Sequence, residues 1–430
     1  LYNQGMMKTK TGITLSTRLL CLCMIVSGMS AVQAQLPYER DYPVMNYYEA
    51  GASGPVSELL QSINAGETTL EYDPQQGYLP ALLELLDIDP SSQLLVFSKT
   101  ARKGRFISPQ TPRALYFNDE VYVGFVPDTP GLELAVMDPA LGPVFFELDR
   151  QRGEGALEVS RQNSVCLRCH DSLTNSGGGT PRFMMSSVLV NELGEIASHE
   201  VSIITNNSTP LESRWGGWYV TGFHGEQANL GNFTYQAGQS LADAELLSNG
   251  NRADLSDLLD TGNYLTPYSD IVALLVMQHQ IEVQNVMTRV NWNYQQRLAE
   301  NAQLQDGELE ELARPLLDAL LMANEAELGD SIEGVSGYSD YFQSLGPEDE
   351  QGRSLRDLDL QERVFTYPLS YLIYSDAFQS LPQALLRHLK TALHDILSGA
   401  QDHPDYPYLD ARLRNEILAI VAQTSPGFFL

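Results

Sequence analysis

An α+β fold, strand-rich in its N-terminal half and helical in its C-terminal half, is what this chain predicts. Between residues 94 and 148, short apolar or alternating runs are broken by Pro, Gly and Asp, which is the punctuation of strands. From about Asp254 onward the apolar residues recur at helical spacing. A strand-rich part followed by a helix-rich part, without regular alternation of the two, is the order expected of α+β.

The individual elements follow in chain order. Leu94–Phe97, Ala114–Phe117, Val121–Val126, Leu132–Met137 and Val144–Leu148 read as strands, with a tight hairpin at Asn118-Asp119. Two further strands are expected at Ser187–Val190 and Val201–Thr205. Helices are expected at Ile271–Ala299, Glu308–Leu328, Leu381–Leu397 and Ala411–Thr424, with an acidic linker, Gly346–Glu350, between the second and third. No internal repeat interrupts this layout. Three regions result, 35–160 rich in strands, 161–250 in mid-chain and 251–430 helical, and they are free to form one compact unit.

Residues 1–34 read as a secretory leader. Translation is placed at Met6 or Met7. Lys8, Lys10 and Arg18 make a basic start without an acid, Leu19–Met29 is apolar, and Val32-Gln33-Ala34 is a small-residue cleavage site. The apolar stretch is about half of the ~20 residues a membrane-spanning helix needs. Cleavage after Ala34 and release without a transmembrane anchor are therefore expected, the alternative being an uncleaved anchor.

Of the four cysteines, Cys21 and Cys23 leave with the leader, and only Cys166 and Cys169 remain. They stand in Cys166-Leu167-Arg168-Cys169-His170. Two thiols separated by two residues reach the two vinyl groups of one haem edge as thioethers, and the histidine that follows binds the iron from below. Haem c, one per chain and covalently attached, is thus the expected cofactor, with His170 as its proximal ligand. Zinc is the rival reading of such a pair, but it usually takes four ligands, and the chain offers no second CxxC. A redox disulfide is the other.

The charge is strongly acidic. Removing the leader takes away three basic side chains and no acid, so the formal charge moves from −29 to −32. That excludes nucleic acid and anionic membrane surfaces as favoured partners, and it suits a basic redox partner protein. One island departs from the rule. Pro90 to Asn118 holds no acid, while Lys99, Arg102, Lys103, Arg105 and Arg113 cluster there. Pairing with the two haem propionates is one expectation for these cations, and a solvated loop is the other.

The motif behind a secretory leader resembles the bacterial periplasmic c-type cytochromes. Arg105-Phe106-Ile107-Ser108-Pro109, Pro112–Asp119 and Arg214-Trp215-Gly216-Gly217-Trp218-Tyr219 are similar to segments of a group of large single-haem bacterial proteins with no assigned activity. The resemblance spans much of the mature chain, but only the haem motif carries chemistry over. It implies an exported, periplasmic protein. The chain departs from small cytochromes c in its length and strands, and from dihaem peroxidases in having a single CxxCH.

Electron carriage and catalysis differ in what faces the iron opposite His170. His224 lies in the loop Gly222-Phe223-His224-Gly225, His279 on the apolar stripe of the longest helix, His199 beside Glu200, and Met184 and Met185 shortly after the motif. Each has a plain structural alternative as a core or turn residue. Gly177-Gly178-Gly179 would let backbone approach a porphyrin, and Trp215, Trp218 and Tyr219 are candidates for a pocket wall or electron relay as well as for core packing. The leading expectation is electron transfer by Fe(III)/Fe(II) cycling. The alternatives are a peroxidase- or oxidase-like haem enzyme and a haem sensor. With this acidity, electron exchange with a basic partner should slow as salt rises from low ionic strength through ~0.15 M, where screening sets in over about 8 Å. Stopped-flow rates that do not change with salt would remove steering as the role of the acidic surface.

Overall fold

Alternating apolar residues need a sheet that buries them, and the first half of the chain builds one. The computed structural model describes residues 42–129, 131–148, 157, 159–172, 178–236, 250–300, 304–400 and 404–429; the leader lies outside them. Tyr42–Leu430 form one compact unit. Two short helices, α1 (Pro55–Asn64) and α2 (Leu79–Leu85), precede the sheet and each starts with Pro in its first turn, where the missing N–H costs nothing. Then come β1 (Leu94–Val96), β2 (Arg113–Phe117), β3 (Val121–Phe125), β4 (Leu132–Asp138), β5 (Gly142–Leu148) and β6 (Val159–Arg161).

These six strands form an antiparallel meander in sequence order. The turn expected at Asn118-Asp119 is present, and Asn118 Oδ1 closes it by accepting from the N–H of Glu120 and Val121. Segment 217–219 extends the sheet beyond β1: the Phe97 N–H donates to the Gly217 carbonyl at 2.8 Å and the Tyr219 N–H to the Leu95 carbonyl at 2.8 Å. Trp218 donates its indole N–H to Ser186 O, and the Tyr219 hydroxyl donates to Pro109 O. Trp215 is fully buried. This aromatic run therefore closes a sheet edge and the core beside it.

The motif forms α3 (Asn163–His170), followed by a hairpin of β7 (Ser186–Val190) and β8 (Ile196–Ile204). β8 begins earlier than Val201, because the Asn191–Gly194 turn brings Ile196 opposite Val190 across a shifted register. The helical half contains α4 (Ile271–Glu300), α5 (Asp306–Leu320), α6 (Tyr338–Ser344), α7 (Asp376–Gln379), α8 (Gln383–Ser398) and α9 (Ala411–Thr424). α6 and α7, like α1 and α2, were not expected, and the four expected helices are present within a few residues of their expected bounds, except that α5 stops at Leu320 rather than Leu328. The apolar pattern runs on, but the backbone turns left-handed at Met322 and again at Asn324, which ends a helix. The α+β order is the observed one, and among the described residues no helix is long and apolar enough to cross a membrane.

α4 is buried along most of its length, from Ile271 to Tyr294. It lies against one face of the sheet, where Tyr122 donates its hydroxyl to Gln284 Oε1 at 2.7 Å. The β4–β5 turn approaches so closely that a Cβ on Gly142, whose φ is +75°, would land on the Thr288 side chain. The start of α4 is set by Asp270, which is fully buried. Its Oδ1 accepts from Val272 N–H at 2.8 Å, and its Oδ2 accepts from Val335 and Ser336 N–H at 2.7 and 2.8 Å. One carboxylate thus caps a helix and ties down a distant loop. Asp270→Ala would leave the buried Val272 donor and the half-buried Val335 and Ser336 donors without their acceptor, so a loss on the order of 2–4 kcal/mol is expected, read as a lower denaturant midpoint at unchanged slope.

Candidate functional site

Helical spacing decides how the motif presents itself. Residues three apart share a helix face, so Cys166 and Cys169 lie on one side of α3, with Leu167 fixed in the core on the other. Cys166 is half-buried, Cys169 is exposed, and the two are not joined in a disulfide. Burial and the nearby Glu133 push the Cys166 thiol up to about 12. A redox dithiol needs the reverse, a depressed pKa that yields thiolate.

His170 ends the helix, and its ring is held at two points. Nδ1 lies 2.8 Å from the Arg182 carbonyl oxygen, and the Arg182 N–H donates back to the His170 carbonyl at 3.0 Å. A carbonyl can only accept, so Nδ1 carries the proton and the lone pair is on Nε2. That is the tautomer of a metal-binding histidine, whose second nitrogen is oriented by a hydrogen bond. Loss of solvent around the ring pushes its pKa down to about 4, and the Arg113 and Arg182 charges act in the same direction, so the imidazole is neutral at neutral pH. The ring packs on Phe145 at 4.5 Å between centroids.

The carbonyl that orients His170 is itself anchored. Next to Arg182, Phe183 donates its N–H to Asn285 Oδ1 at 2.8 Å, and its carbonyl accepts from Asn285 Nδ2 at 2.9 Å. The Phe183 ring fills the space between Phe145 and Tyr122, at 6.4 and 4.6 Å. Arg182, Phe145, Phe183 and Asn285 were not legible as site residues. The one available signal was Asn285, an amide interrupting a buried helix, because a buried amide must have partners.

The expected distal residues are scattered. The strand bridge from Thr221 to Asp270 places His224 at the N-terminal end of α4, while Asn285 lies 14 residues on, about 21 Å along the axis at ~1.5 Å per residue. His224 Nε2 takes the Asn229 Nδ2 donor at 3.1 Å, its Nδ1 has no partner among the described residues, and the ring is fully buried. His279 is buried with both nitrogens engaged, Nε2 with Ser370 Oγ at 2.8 Å and Nδ1 with Asn207 Nδ2 at 3.3 Å. Six residues from Asn285 at ~100° each turn it to another face of α4, toward Phe365 and Tyr371. Both histidines are core residues, and neither is brought to His170. Met185 is buried and its carbonyl accepts from Thr205. Met184, half-buried, stands two residues beyond Arg182 in the segment that clasps His170. His199 lies in β8, its side chain outside the described residues, as is Gly177; Gly178 and Gly179 follow with positive φ.

The basic island is paired within the protein. Arg102 and Lys103 meet Glu147 at 2.5 and 3.1 Å, Arg113 meets Glu133 at 2.9 Å, and Lys99 meets Glu195 at 3.7 Å. Arg105 lies over the Phe106 ring. Arg102 and Arg113 are among the charges that act on Cys166, so the island forms an internal ion network beside the motif.

Further groups beside the motif would suit a haem. Around α3, buried polar atoms without a protein partner include Arg161 Nε, Asn163 Oδ1, Trp292 Nε1 and Tyr42 Oη. Three of the four are donors, and Tyr42, Tyr47, Trp292 and Arg161 pack ring on ring and cation on ring. A bound group that brings carboxylates and a flat apolar face meets that need. Among the described residues, no group of three or more His, Cys, Asp or Glu could hold an ion. No protein-family model, no curated protein and no solved structure matches the chain. Asn285→Ala should cost about 2–3 kcal/mol through the stranded Phe183 backbone groups, and the Phe183 amide should exchange roughly 30-fold faster. Unchanged exchange would show that the clasp does not depend on α4.

Proposed function

We propose that this protein is an exported, periplasmic redox protein with a single haem c, attached through Cys166 and Cys169 and bound at iron by His170 Nε2, and that it transfers electrons. The observation that carries this reading is the commitment of His170 Nδ1 to the Arg182 carbonyl, which leaves Nε2 as the ligand atom. The haem supplies a one-electron Fe(III)/Fe(II) couple. The chain supplies the ligand in one tautomer, a dry aromatic wall of Phe145 and Phe183, and a backbone acceptor fixed by Asn285. The acidic surface suits a basic redox partner protein.

A second reading is favoured by one observation. His224 and His279 are engaged elsewhere, so few side chains remain to close the iron's far face, and a haem enzyme of peroxidase or oxidase type, or a haem sensor, would use an open one.

Two measurements test these readings. On denaturing electrophoresis the polypeptide should retain peroxidase-active haem, and Cys166→Ala with Cys169→Ala should abolish it; haem that extracts into acidified organic solvent would overturn covalent attachment. The ferric protein should be six-coordinate and low spin, and Met184→Ala should convert it to high spin, with His199→Ala as the companion variant. A wild-type protein that is already high spin, and binds carbon monoxide rapidly once reduced, establishes the second reading.

A further inference from the structure

The hairpin of β7 and β8 has one covered edge and one open edge. β7 is covered on the side away from β8. Val188 donates its N–H to the Gly216 carbonyl at 3.0 Å, the Val190 carbonyl accepts from the Tyr235 N–H at 2.7 Å, and the Ser186 carbonyl accepts from the Trp218 indole at 2.7 Å. Backbone groups along an antiparallel strand point to alternate sides, and the two residues of a pair either bond each other or both face outward. Ser186, Val188 and Val190 face away from β8, so their partners Ile204, Ser202 and Ile196 face away from β7. The bond from the Thr205 N–H to the Met185 carbonyl, at 2.9 Å, fixes the same phase.

Those outward groups meet no backbone partner among the described residues. The edge is also bare. Ile196 and Ile203 are 44 and 38% exposed, Leu193 in the turn is 59% exposed, and Ser202 is exposed. Natural edges are blunted by Lys, by Pro or by a bulge, and residues 186–205 contain no Lys, Arg or Pro. A register shift at Val188–Val190 does interrupt β8 between Ser198 and Ser202. It leaves Ser202–Ile204 as the open stretch in regular register, with the exposed Ile203 at its centre.

We propose that this edge is a docking site for an extended segment of a partner protein in which basic and apolar residues alternate, added to the hairpin as a further strand. In strand addition the backbone groups give affinity and the side chains give choice. Ser202 and Ile204 supply the backbone donors and acceptors, and an apolar side chain of the incoming strand covers Ile203. Charge complementarity selects the occupant. Residues 186–205 carry Glu192, Glu195 and Glu200 and no Lys or Arg, in a chain of formal charge −29; of the three, Glu195 meets Lys99 at 3.7 Å. A second copy of the chain would bring like charge to like, and a basic strand does the opposite. The proposal makes no use of a haem, so it and the haem reading stand or fall separately.

The test is fluorescence anisotropy of the full chain with a labelled nine-residue peptide of alternating lysine and valine. The peptide should bind, less tightly as salt rises, and its counterpart with glutamate for lysine should not. With the peptide bound, the Ser202 and Ile204 amides should exchange roughly tenfold slower. Ser202→Pro removes an outward N–H and sets a ring in the path of the incoming strand, so binding should weaken ~10-fold or more. It takes no bond from the β7–β8 ladder, so the melting temperature should hold. Should that variant fail to accumulate, Ile203→Lys carries the test, since its charge repels the basic strand from an exposed position. Leu85→Lys, at an exposed position on α2, adds the same charge elsewhere and should leave binding unchanged. Equal binding of the glutamate peptide, or binding that neither edge variant weakens, overturns the proposal. A full chain that sediments as a dimer and becomes a monomer on Ser202→Pro gives the edge to a second copy and overturns it as well.

Discussion

The hydrogen bond from His170 Nδ1 to the Arg182 carbonyl, 2.8 Å long, is the contact on which the site depends. It fixes the tautomer and stops ring rotation, and it draws on structure far from the motif. The carbonyl stays in place because Asn285 grips both backbone groups of Phe183. Asn285 is in place because α4 is buried against the sheet, and α4 begins where Asp270 caps it and pins the loop at Val335 and Ser336. A five-residue motif is thus oriented by a thirty-residue helix. That dependence ties the motif to elements drawn from both halves of the chain.

Local pattern made most of the elements legible. The five expected strands of the meander and the hairpin turn at Asn118 were readable because alternation and turn chemistry are written within a few residues. Features that depend on distant partners were not. The overrun of α5 to Leu328 followed an apolar pattern that continues past the left-handed Met322, a conformation tertiary packing imposes. α1 and α2 escaped notice because short helices carry little periodic signal, although Pro55 and Pro80 in their first turns were available.

At the site the same division holds. Cys166, Cys169 and His170 stood out by their fixed spacing alone, and the structure adds the contact of His170 Nδ1 with the Arg182 carbonyl. The distal side was not, since a histidine's role depends on what meets its two nitrogens. Nothing local to His279 announces Ser370 or Asn207; the donor to His224, Asn229, stands only five residues on, but the fold is what turns it onto Nε2. The partners of the basic island were hidden for a similar reason. Glu133 and Glu147 stand 20 to 45 positions along the chain and arrive only when β3 pairs with β4 and β4 with β5.

Two electrostatic effects of opposite reach then coexist in one molecule. The diffuse surface charge acts over roughly a Debye length and weakens with salt, so it is felt by whatever approaches the surface. The ion network on the sheet is partly buried, within a few ångströms of its own counter-charges, and salt reaches it poorly. Its charges are met at short range inside the fold, so the surface can stay strongly acidic without disturbing them. Separating the two requires a local charge that solvent does not freely reach, and the Arg113 guanidinium lying across Gly124 is such a charge.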